Sequence, residues 1–212
     1  MKVYTYFANV PELGNAEQLQ MLALWGDSWA RHGWEPIILT HDHTRTFPNH
    51  SFVEARFSRM PKVNPAAYEL ACWMRWVAMA VSGGMMTDYD VLNFGFTPAD
   101  IPVNKGRHVS IFTDNNPCPC AVHGTAEQYI NAVNLFLGHE VDSQDSIGGR
   151  PHTSDQNLIQ RFESLFRPHI YDVCHEYGKP KWEESKLVHF SFGATAGTDR
   201  VGKMRRAFAI NA

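Results

Sequence analysis

The sequence predicts an α/β fold whose central sheet is mixed, mostly parallel, and flanked by helices. In the first half of the chain, short apolar segments typical of strands alternate with longer segments whose apolar residues have helical spacing. In the second half the alternation is less regular, which favours a mixed sheet. The chain has 212 residues and is 44% hydrophobic, so we expect one domain, residues 1–212, with a sizeable core.

The elements of the first half each have a local signal. Strands are expected at residues 3–8 and at residues 35–40, the second around the apolar run PIILT. Between them, Asn15 is a typical helix N-cap and Gly33 a typical helix stop. A weaker third strand is expected at residues 51–57.

A long helix and a buried strand follow. Asn64 is expected to cap the helix, with Pro65 at the first helical position, and Gly83 ends it. One face of this helix carries Leu70, Met74, Val77, Ala78 and Val81. The next strand is followed by a loop rich in proline and aspartate at residues 97–102.

The later elements are shorter. A strand is expected at residues 108–113, and capping-box spacing at residues 125–128 and 153–156 predicts two helix starts. The first of these helices is expected to run to Leu137, and Pro168 ends the second. Short strands are expected at residues 170–173 and 186–190.

Composition excludes several classes of protein. A net charge of -3 gives no electrostatic support for binding nucleic acid. No apolar run approaches the roughly 18 residues of a membrane span, and the amino-terminal segment alternates like a strand, unlike a signal peptide. The cysteines form no CxxC pair, so we interpret them as reduced thiols of a soluble, cytoplasmic protein. They are Cys72, Cys118, Cys120 and Cys174.

Two acidic residues stand out in the segment GGMMTDYDVLNFG. Asp88 and Asp90 follow a predicted interior strand, and alternate residues of a strand share a face. Two carboxylates on one face repel each other unless a cation lies between them. Mg²⁺ and Mn²⁺ bind carboxylate oxygens and keep positions open for phosphates. The alternative is a turn in which both carboxylates are simply solvated.

The context of these aspartates resembles the GT-A fold glycosyltransferases, in particular a group with a D-x-D sugar-binding region. Arg75 lies thirteen residues before Asp88, and a helix and the pair Gly83-Gly84 separate them. The likeness is clear over residues 66–95. It implies a GT-A-like domain, a hexosyltransferase-type activity, a UDP-sugar donor, and a saccharide, glycoprotein or glycolipid acceptor.

Two later segments are similar to motifs of the same group. Asp155 and Gln156 resemble the "DQ" helix start that lies beside the donor sugar. His189, Phe190 and Gly193 resemble the "HF-x-G" segment of retaining members, in which the histidine binds the metal and the glycine lies against the pyrophosphate. This second likeness implies retention of configuration.

The resemblance also implies roles for individual residues. Mn²⁺ or Mg²⁺ would be held by Asp88, Asp90 and His189. Arg75 and Asp155 are the candidate catalytic residues. The nucleotide sugar would be bound by Arg75 and by a set comprising Thr5, Tyr6, Phe7, Asp88, Tyr89, Lys186 and Gly193.

Each of these assignments has an ordinary structural alternative. His189 could fill a strand, Arg75 could lie on the surface, and Asp155 could simply favour a helix dipole. Further candidates are phosphate contacts from Lys203, Arg205 and Arg206, acceptor stacking by Trp73, Trp76 and Trp182, and a zinc-binding or loop role for His41-Asp42-His43. An inverting enzyme would need a carboxylate base, for which Asp155 or Asp145 could serve.

Two other functions remain open from the sequence. The first is a glycosyltransferase-like module that binds sugars or nucleotides without turnover. The second is a phosphohydrolase that uses a DxD motif as nucleophile and acid, although such enzymes place it after the first strand, where this chain has no aspartate.

Overall fold

The computed structural model describes residues 1–10, 15–113, 117–170, 173–175, 185–191 and 198–210. The helices are α1 (Asn15–Ala30), α2 (His41–Thr44), α3 (His50–Ser58), α4 (Ala66–Ser82), α5 (Ala126–Gly138), α6 (Asp155–Arg161) and α7 (Arg200–Ile210), with short 3-10 helices at Pro98–Asp100 and Glu163–Leu165. The strands are β1 (Lys2–Tyr6), β2 (Glu35–Leu39), β3 (Gly84–Thr87), β4 (Val91–Asn93), β5 (Ser110–Thr113), β6 (Ala121–Gly124), β7 (Ser146–Ile147), β8 (Arg150–Pro151), β9 (Arg167–Ile170), β10 (Val173–His175) and β11 (Leu187–His189).

The main sheet has six strands in the order β2-β1-β3-β6-β5-β9. β1 pairs in parallel with β2 and β3, and β5 pairs in parallel with β9, whereas β6 runs antiparallel to both of its neighbours. The prediction of a mixed, mostly parallel sheet is therefore confirmed. Because β1, β2 and β3 are parallel, their carboxyl ends lie at one edge of the sheet, where open α/β sheets bind ligands.

A second sheet brings a distant part of the chain to this edge. Its strand order is β10-β11-β4, and β4 begins directly after Asp90. In the antiparallel pairing of β11 with β4, His189 lies opposite Val91. The backbone N–H of Phe190 then donates to the carbonyl of Asp90 at 2.9 Å. This pairing places His189 beside the two aspartates.

Three tryptophans of α1 and the chain just after it attach this region to the core. The indole of Trp25 donates to the Thr87 hydroxyl at 2.8 Å. Trp29 donates to the carbonyl of Val91 at 3.1 Å, and Trp34 to that of Phe96 at 2.8 Å. Each pair is separated by 62 residues in the sequence. The two segments therefore run alongside each other, with the aspartates between the first two attachment points.

The long helix α4 forms the centre of the largest hydrophobic cluster. Its residues 73–74 and 76–80 are all buried, and Trp73 and Trp76 pack against Phe136 of α5. Val81, which the helical spacing places on the buried face, is 42% exposed because the helix ends there. Gly83 then takes a positive φ of 62°, which turns the chain from α4 into β3.

The prediction of a strand at residues 51–57 is wrong. These residues belong to α3, in which Val53 and Phe57 are buried while Phe52 is exposed. Two buried residues four apart beside an exposed phenylalanine follow the period of a helix, whereas a strand would bury every second residue.

Other boundaries differ from expectation by a residue or more. Pro65 occupies the N-cap position of α4, and Asn64 instead donates a side-chain hydrogen bond to Glu69. Ser154 caps α6, since its hydroxyl accepts from the N–H of Asn157. The capping box at Thr125 and Gln128 is present as predicted. Strand β6 and helix α7 were not predicted.

Candidate active site

Asp88 and Asp90 lie in the tight turn that joins β3 to β4, not on a strand as the alternation suggested. The N–H of Asp88 donates to the carbonyl of Cys120 at 2.8 Å, and the N–H of Val91 donates to the carbonyl of Asp88 at 3.0 Å. These backbone bonds fix both ends of the turn. The two carboxylates converge because of the turn, which the sequence alone did not show.

Asp90 has contrasting partners at its two carboxylate oxygens. Oδ2 accepts a hydrogen bond from the guanidinium of Arg200. Among the described residues Oδ1 is buried without a hydrogen-bond partner, and Nε2 of His189 lies 3.3 Å from it. The two atoms are close enough for an ion pair, but their geometry is not that of a hydrogen bond. A buried carboxylate oxygen that accepts no hydrogen bond is well suited to bind a cation.

Asp88, Asp90 and His189 each direct a ligand atom to one point. These three atoms lie within 4.8 Å of one another. Two carboxylates and an imidazole are suitable donors for Mn²⁺ or Mg²⁺, so the side chains that the sequence indicated fit a divalent cation by donor type and by convergence.

Arg75 connects the aspartate turn to helix α6. Its Nη1 donates to Oδ1 of Asp88, and its Nε and Nη2 donate to Oδ2 of Asp155 at 3.1 and 2.6 Å. Arg75 is only 9% exposed. The arginine thus crosses between two carboxylates in a largely buried position.

Burial and charge shift the pKa values of this pair. Burial raises the pKa of Asp88, and the nearby Arg75 and His189 oppose the effect without reversing it. Burial lowers the pKa of Arg75, but the carboxylates of Asp155 and Asp88 outweigh it and raise that pKa well above its ordinary value. Arg75 is therefore a fixed positive charge at the site.

Both carboxylate oxygens of Asp155 accept hydrogen bonds. Its Oδ2 accepts from Arg75 and from the indole of Trp76 at 2.8 Å, and its Oδ1 accepts from the N–H of Gln156 at 2.8 Å. Asp155 is 3% exposed and occupies the first turn of α6. Its observed contacts orient Arg75.

Arg200 is the site residue that the sequence analysis missed. Besides its bond to Asp90, its Nε donates to the carbonyl of Phe190 at 2.6 Å. A signal was present in the sequence, because Asp199 is a good N-cap and Val201, Met204 and Ala207 have helical spacing and are buried. The basic residues named from the sequence, Lys203, Arg205 and Arg206, lie further along this helix.

The first strand ends beside this site. Thr5 is fully buried, and its hydroxyl has no hydrogen-bond partner among the described residues. Burial and then the charge of Glu54 raise the pKa of Tyr6 to about 12. Phe7 packs edge-on against Tyr89, with ring centroids 6.2 Å apart, and the Tyr89 hydroxyl donates to Gln18 at 3.3 Å.

The structure also describes most of the remaining candidate residues named from the sequence. Lys186 is half exposed, and its Nζ is 2.5 Å from Oδ1 of Asp100. Trp73 and Trp76 are core residues, not stacking surfaces. Arg205 is exposed and bonds to Gln20. Cys72, Cys118 and Cys120 form no disulfide bond among the described residues. Gly193 and Trp182 lie outside the described residues.

Comparison with known proteins finds the same architecture in glycosyltransferases. No protein-family model matches the chain, and no curated protein matches it in sequence. Among solved structures, apo GlyE of Streptococcus pneumoniae TIGR4 matches with a TM-score of 0.54 and 8% identity, over 99% of this chain and 61% of GlyE. Galactosyltransferase LgtC, in complex with donor and acceptor sugar analogues, matches with a TM-score of 0.53 and 10% identity, over 99% of this chain and 96% of LgtC.

The chain has a GT-A-like glycosyltransferase fold. A glycosyltransferase involved in glycosylation of the major capsid of PBCV-1 adds a third match, with a TM-score of 0.50 and 11% identity over 97% of this chain and 98% of that one. At these identities the likeness is one of fold. Among the helices in the described part of the chain, none has the length and apolarity needed to cross a bilayer.

Proposed function

We propose that this protein is a metal-dependent glycosyltransferase that moves a hexose from a UDP-sugar to a saccharide or glycoconjugate acceptor. The observation that carries the proposal is the convergence of Asp88, Asp90 and His189 at the carboxyl end of β3. The fold, shared with three glycosyltransferases, supports it.

The cation would be Mn²⁺ or Mg²⁺, held by Asp88, Asp90 and His189. When bound, it supplies Lewis-acid stabilisation to a diphosphate leaving group. The described site holds three carboxylates, Asp88, Asp90 and Asp155, and only two guanidiniums, Arg75 and Arg200. One carboxylate is thus in excess of the fixed positive charges, which favours cation binding.

Arg75 has a positioning role in this proposal. Asp155, which also accepts a hydrogen bond from the Trp76 indole, fixes its guanidinium, and Arg75 in turn fixes one oxygen of Asp88. The other oxygen of Asp88 remains available as a ligand. The same guanidinium stands beside the turn where the donor sugar of the proposed substrate would lie.

Arg200 is proposed as a contact for the diphosphate. In this structure its guanidinium neutralises Asp90 from one side while His189 approaches from the other. An anionic substrate gives Arg200 a second acceptor in the same place, and charge-assisted bonds of arginine to phosphate are short and strong. The proposed nucleoside contacts are Thr5, Tyr6, Phe7 and Tyr89, at the sheet edge that binds ligands in open α/β folds.

Retention of configuration is part of the proposal. Inversion needs a free carboxylate to act as general base on the acceptor. Both carboxylates considered for that role are engaged: Asp155 accepts from Arg75 and Trp76, and Asp145 is 2.9 Å from His139 and accepts from the N–H of Asp142. Their engagement favours the retaining alternative that the segment at His189 suggested.

Calorimetry of UDP binding in Mn²⁺ and in EDTA tests the metal-dependent site. We expect UDP to bind measurably tighter with Mn²⁺, because the diphosphate otherwise adds negative charge to Asp88 and Asp90. Equal affinities under both conditions would contradict the metal-bridged site.

A panel of UDP-sugars, assayed for hydrolysis and for transfer to simple saccharides, tests turnover. Release of UDP from at least one donor is expected. Metal-dependent UDP binding with no turnover of any donor would assign the chain instead to a nucleotide-sugar binding module.

A further inference from the structure

A second cluster of metal-binding side chains lies at the carboxyl end of β2. Nε2 of His41 is 3.5 Å from Oε1 of Glu54, and Nδ1 of His50 is 3.9 Å from Oε2 of the same carboxylate. The three ligand atoms lie within 4.8 Å of one another. Neither distance is accompanied by a hydrogen bond. Ligand atoms bound at about 2.0 to 2.1 Å to a tetrahedral zinc are roughly 3.3 Å apart, so small side-chain movements would bring these three atoms to zinc-binding positions.

The hydrogen bonds of Thr44 determine which ring nitrogen of His50 carries the proton. The other nitrogen then presents a lone pair to Glu54. The Thr44 hydroxyl has one proton, and it donates that proton to the carbonyl of His41 at 2.6 Å. Its 2.8 Å contact with Nε2 of His50 must therefore use the proton of the imidazole. In the neutral ring this leaves the lone pair of Nδ1 directed towards the carboxylate. That lone pair and the carboxylate repel each other unless a proton or a metal cation lies between them.

This arrangement is typical of metal-binding histidines. Their second ring nitrogen usually donates to an oxygen, which fixes the tautomer and the orientation of the ring. Thr44 is buried and supplies that oxygen for His50, and its own proton is anchored on the backbone of His41. One buried hydroxyl thus orients the ring of His50 and is itself anchored on the backbone of His41.

The chelating pair is not the one that the HDH sequence suggested. His43 lies on the same short helix as His41, but its Nδ1 accepts a hydrogen bond from the N–H of Thr40 at 3.0 Å and so caps α2. The partner of His41 is His50, nine residues along the chain, and the third ligand comes from the next turn of α3. A nearby third ligand, which the sequence did not reveal, is therefore present in the fold.

We propose that His41, His50 and Glu54 form a zinc site that is separate from the site at Asp88 and Asp90. Two imidazoles and one carboxylate are a common ligand set for Zn²⁺, whereas a site with two carboxylates suits Mn²⁺ and Mg²⁺. Zinc at this position would join α2 to α3. The same three residues line an open cleft of about 710 Å³ together with Arg45 and Asn49, so water can complete the coordination.

Cobalt provides the direct test, because tetrahedral Co²⁺ absorbs visible light and occupies zinc sites. The protein is used without an affinity tag and with Asp90→Asn and His189→Ala, which remove ligands from the two other candidate clusters, Asp88–Asp90–His189 and Cys118–Cys120–His189. We expect this double variant to bind one equivalent of Co²⁺ with tetrahedral bands, and Zn²⁺ to displace it, since zinc binds such ligands more tightly. Zn²⁺ should also raise the melting temperature of the double variant, because it binds the folded chain.

Three further substitutions in the double variant locate the ion. His50→Ala and Glu54→Gln should each weaken Co²⁺ binding by more than about 100-fold, because loss of a ligand's hydrogen-bond partner alone costs about 10- to 100-fold. His43→Ala is the matched control and should retain the equivalent of Co²⁺. Glu54→Gln preserves side-chain size, so it decides the matter if His50→Ala unfolds. Absence of bound Co²⁺ in the double variant, or a loss with His43→Ala as large as with Glu54→Gln, would overturn the proposal.

Discussion

Arg75 and Asp88 are thirteen residues apart in the sequence and are joined by a hydrogen bond between guanidinium and carboxylate. The spacing is explained by the intervening structure: the end of α4, the turn at Gly83 and the four residues of β3 bring the chain back along the helix. Asp155 holds the other side of the same guanidinium. The aspartate turn is therefore attached to two helices through one arginine.

Asp90→Asn should abolish the effect of Mn²⁺ on UDP binding. The substitution keeps the size of the side chain and removes the charge that a cation needs. Turnover of a UDP-sugar should fall by about 100-fold or more, the scale of losing a key electrostatic contact. Calorimetry and initial rates measure the two effects. Asp142→Asn is the matched control, because Asp142 is an exposed carboxylate paired with Arg161; equal losses in both variants would contradict the assignment of Asp90.

Among single Asp→Asn and Glu→Gln substitutions in the described part of the chain, Asp155→Asn should be one of the most destabilising. It removes the buried charge opposite Arg75, and breaking a buried ion pair costs about 3–5 kcal/mol. Asp88→Asn should cost less, because the Asp88 side chain is 30% exposed and water can solvate the remaining charge. Urea denaturation gives both free energies of unfolding. A smaller loss for Asp155→Asn than for Asp88→Asn would show that Asp155 is not the main anchor of Arg75.

Gly83→Ala should destabilise the fold severely. Gly83 has φ of 62° and ψ of 176°, a region that only glycine adopts readily, and a Cβ there would lie 2.8 Å from the backbone nitrogen of Ala126. Strain in this region costs about 1–3 kcal/mol, and the backbone clash adds to it. Gly138→Ala is the control, since its Cβ would meet nothing within 4 Å. Thermal denaturation should show a large loss for the first variant and none for the second.

The pH dependence of stability should include a contribution from Glu69. Burial raises the pKa of Glu69, and the hydrogen bond from Asn64 only partly opposes this. Nδ1 of His152 lies 3.7 Å from Oε1 of Glu69, but it also accepts a hydrogen bond from the N–H of Val63 at 3.3 Å. That nitrogen therefore carries no proton to share with the carboxylate.

The sign of the effect follows from the raised pKa. Glu69 contributes stability that is fully present below its ordinary pKa of about 4.3 and that is lost as pH rises through the higher value in the fold. Glu69→Gln keeps the acceptor for Asn64 and removes the titrating proton. The free energy of unfolding of the variant, relative to that of the natural protein, should therefore increase between about pH 4 and about pH 7. A constant difference over that interval would contradict burial of an ionised Glu69.

Strong local signals predicted most of the fold. The apolar runs of β1 and β2, the spacing in α4 and the capping box of α5 are all present, because each is decided by residues within one or two turns. The strand prediction for residues 51–57 was wrong because aromatic and β-branched residues favour strands in isolation. Only the burial of Val53 and Phe57 against the core selects the helix.

The site was predicted in part for a similar reason. Asp88, Asp90 and His189 could be named from motifs, but their convergence depends on the pairing of β11 with β4 across about 100 residues of chain, which no local pattern encodes. Arg200 was missed because its partner, Asp90, is 110 residues away. The pairing of His41 with His50 was missed because a strand was assumed where α3 lies.

The three indole hydrogen bonds from Trp25, Trp29 and Trp34 have a consequence for ligand binding. They attach to Thr87 just before the aspartate turn, to Val91 just after it, and to Phe96 beyond β4. The turn is consequently held in one shape before any ligand arrives, and the conformational entropy of ordering it is lost during folding. The donors of these three hydrogen bonds are tryptophans. The intrinsic fluorescence of the unlabelled protein therefore contains a signal from residues that contact this segment.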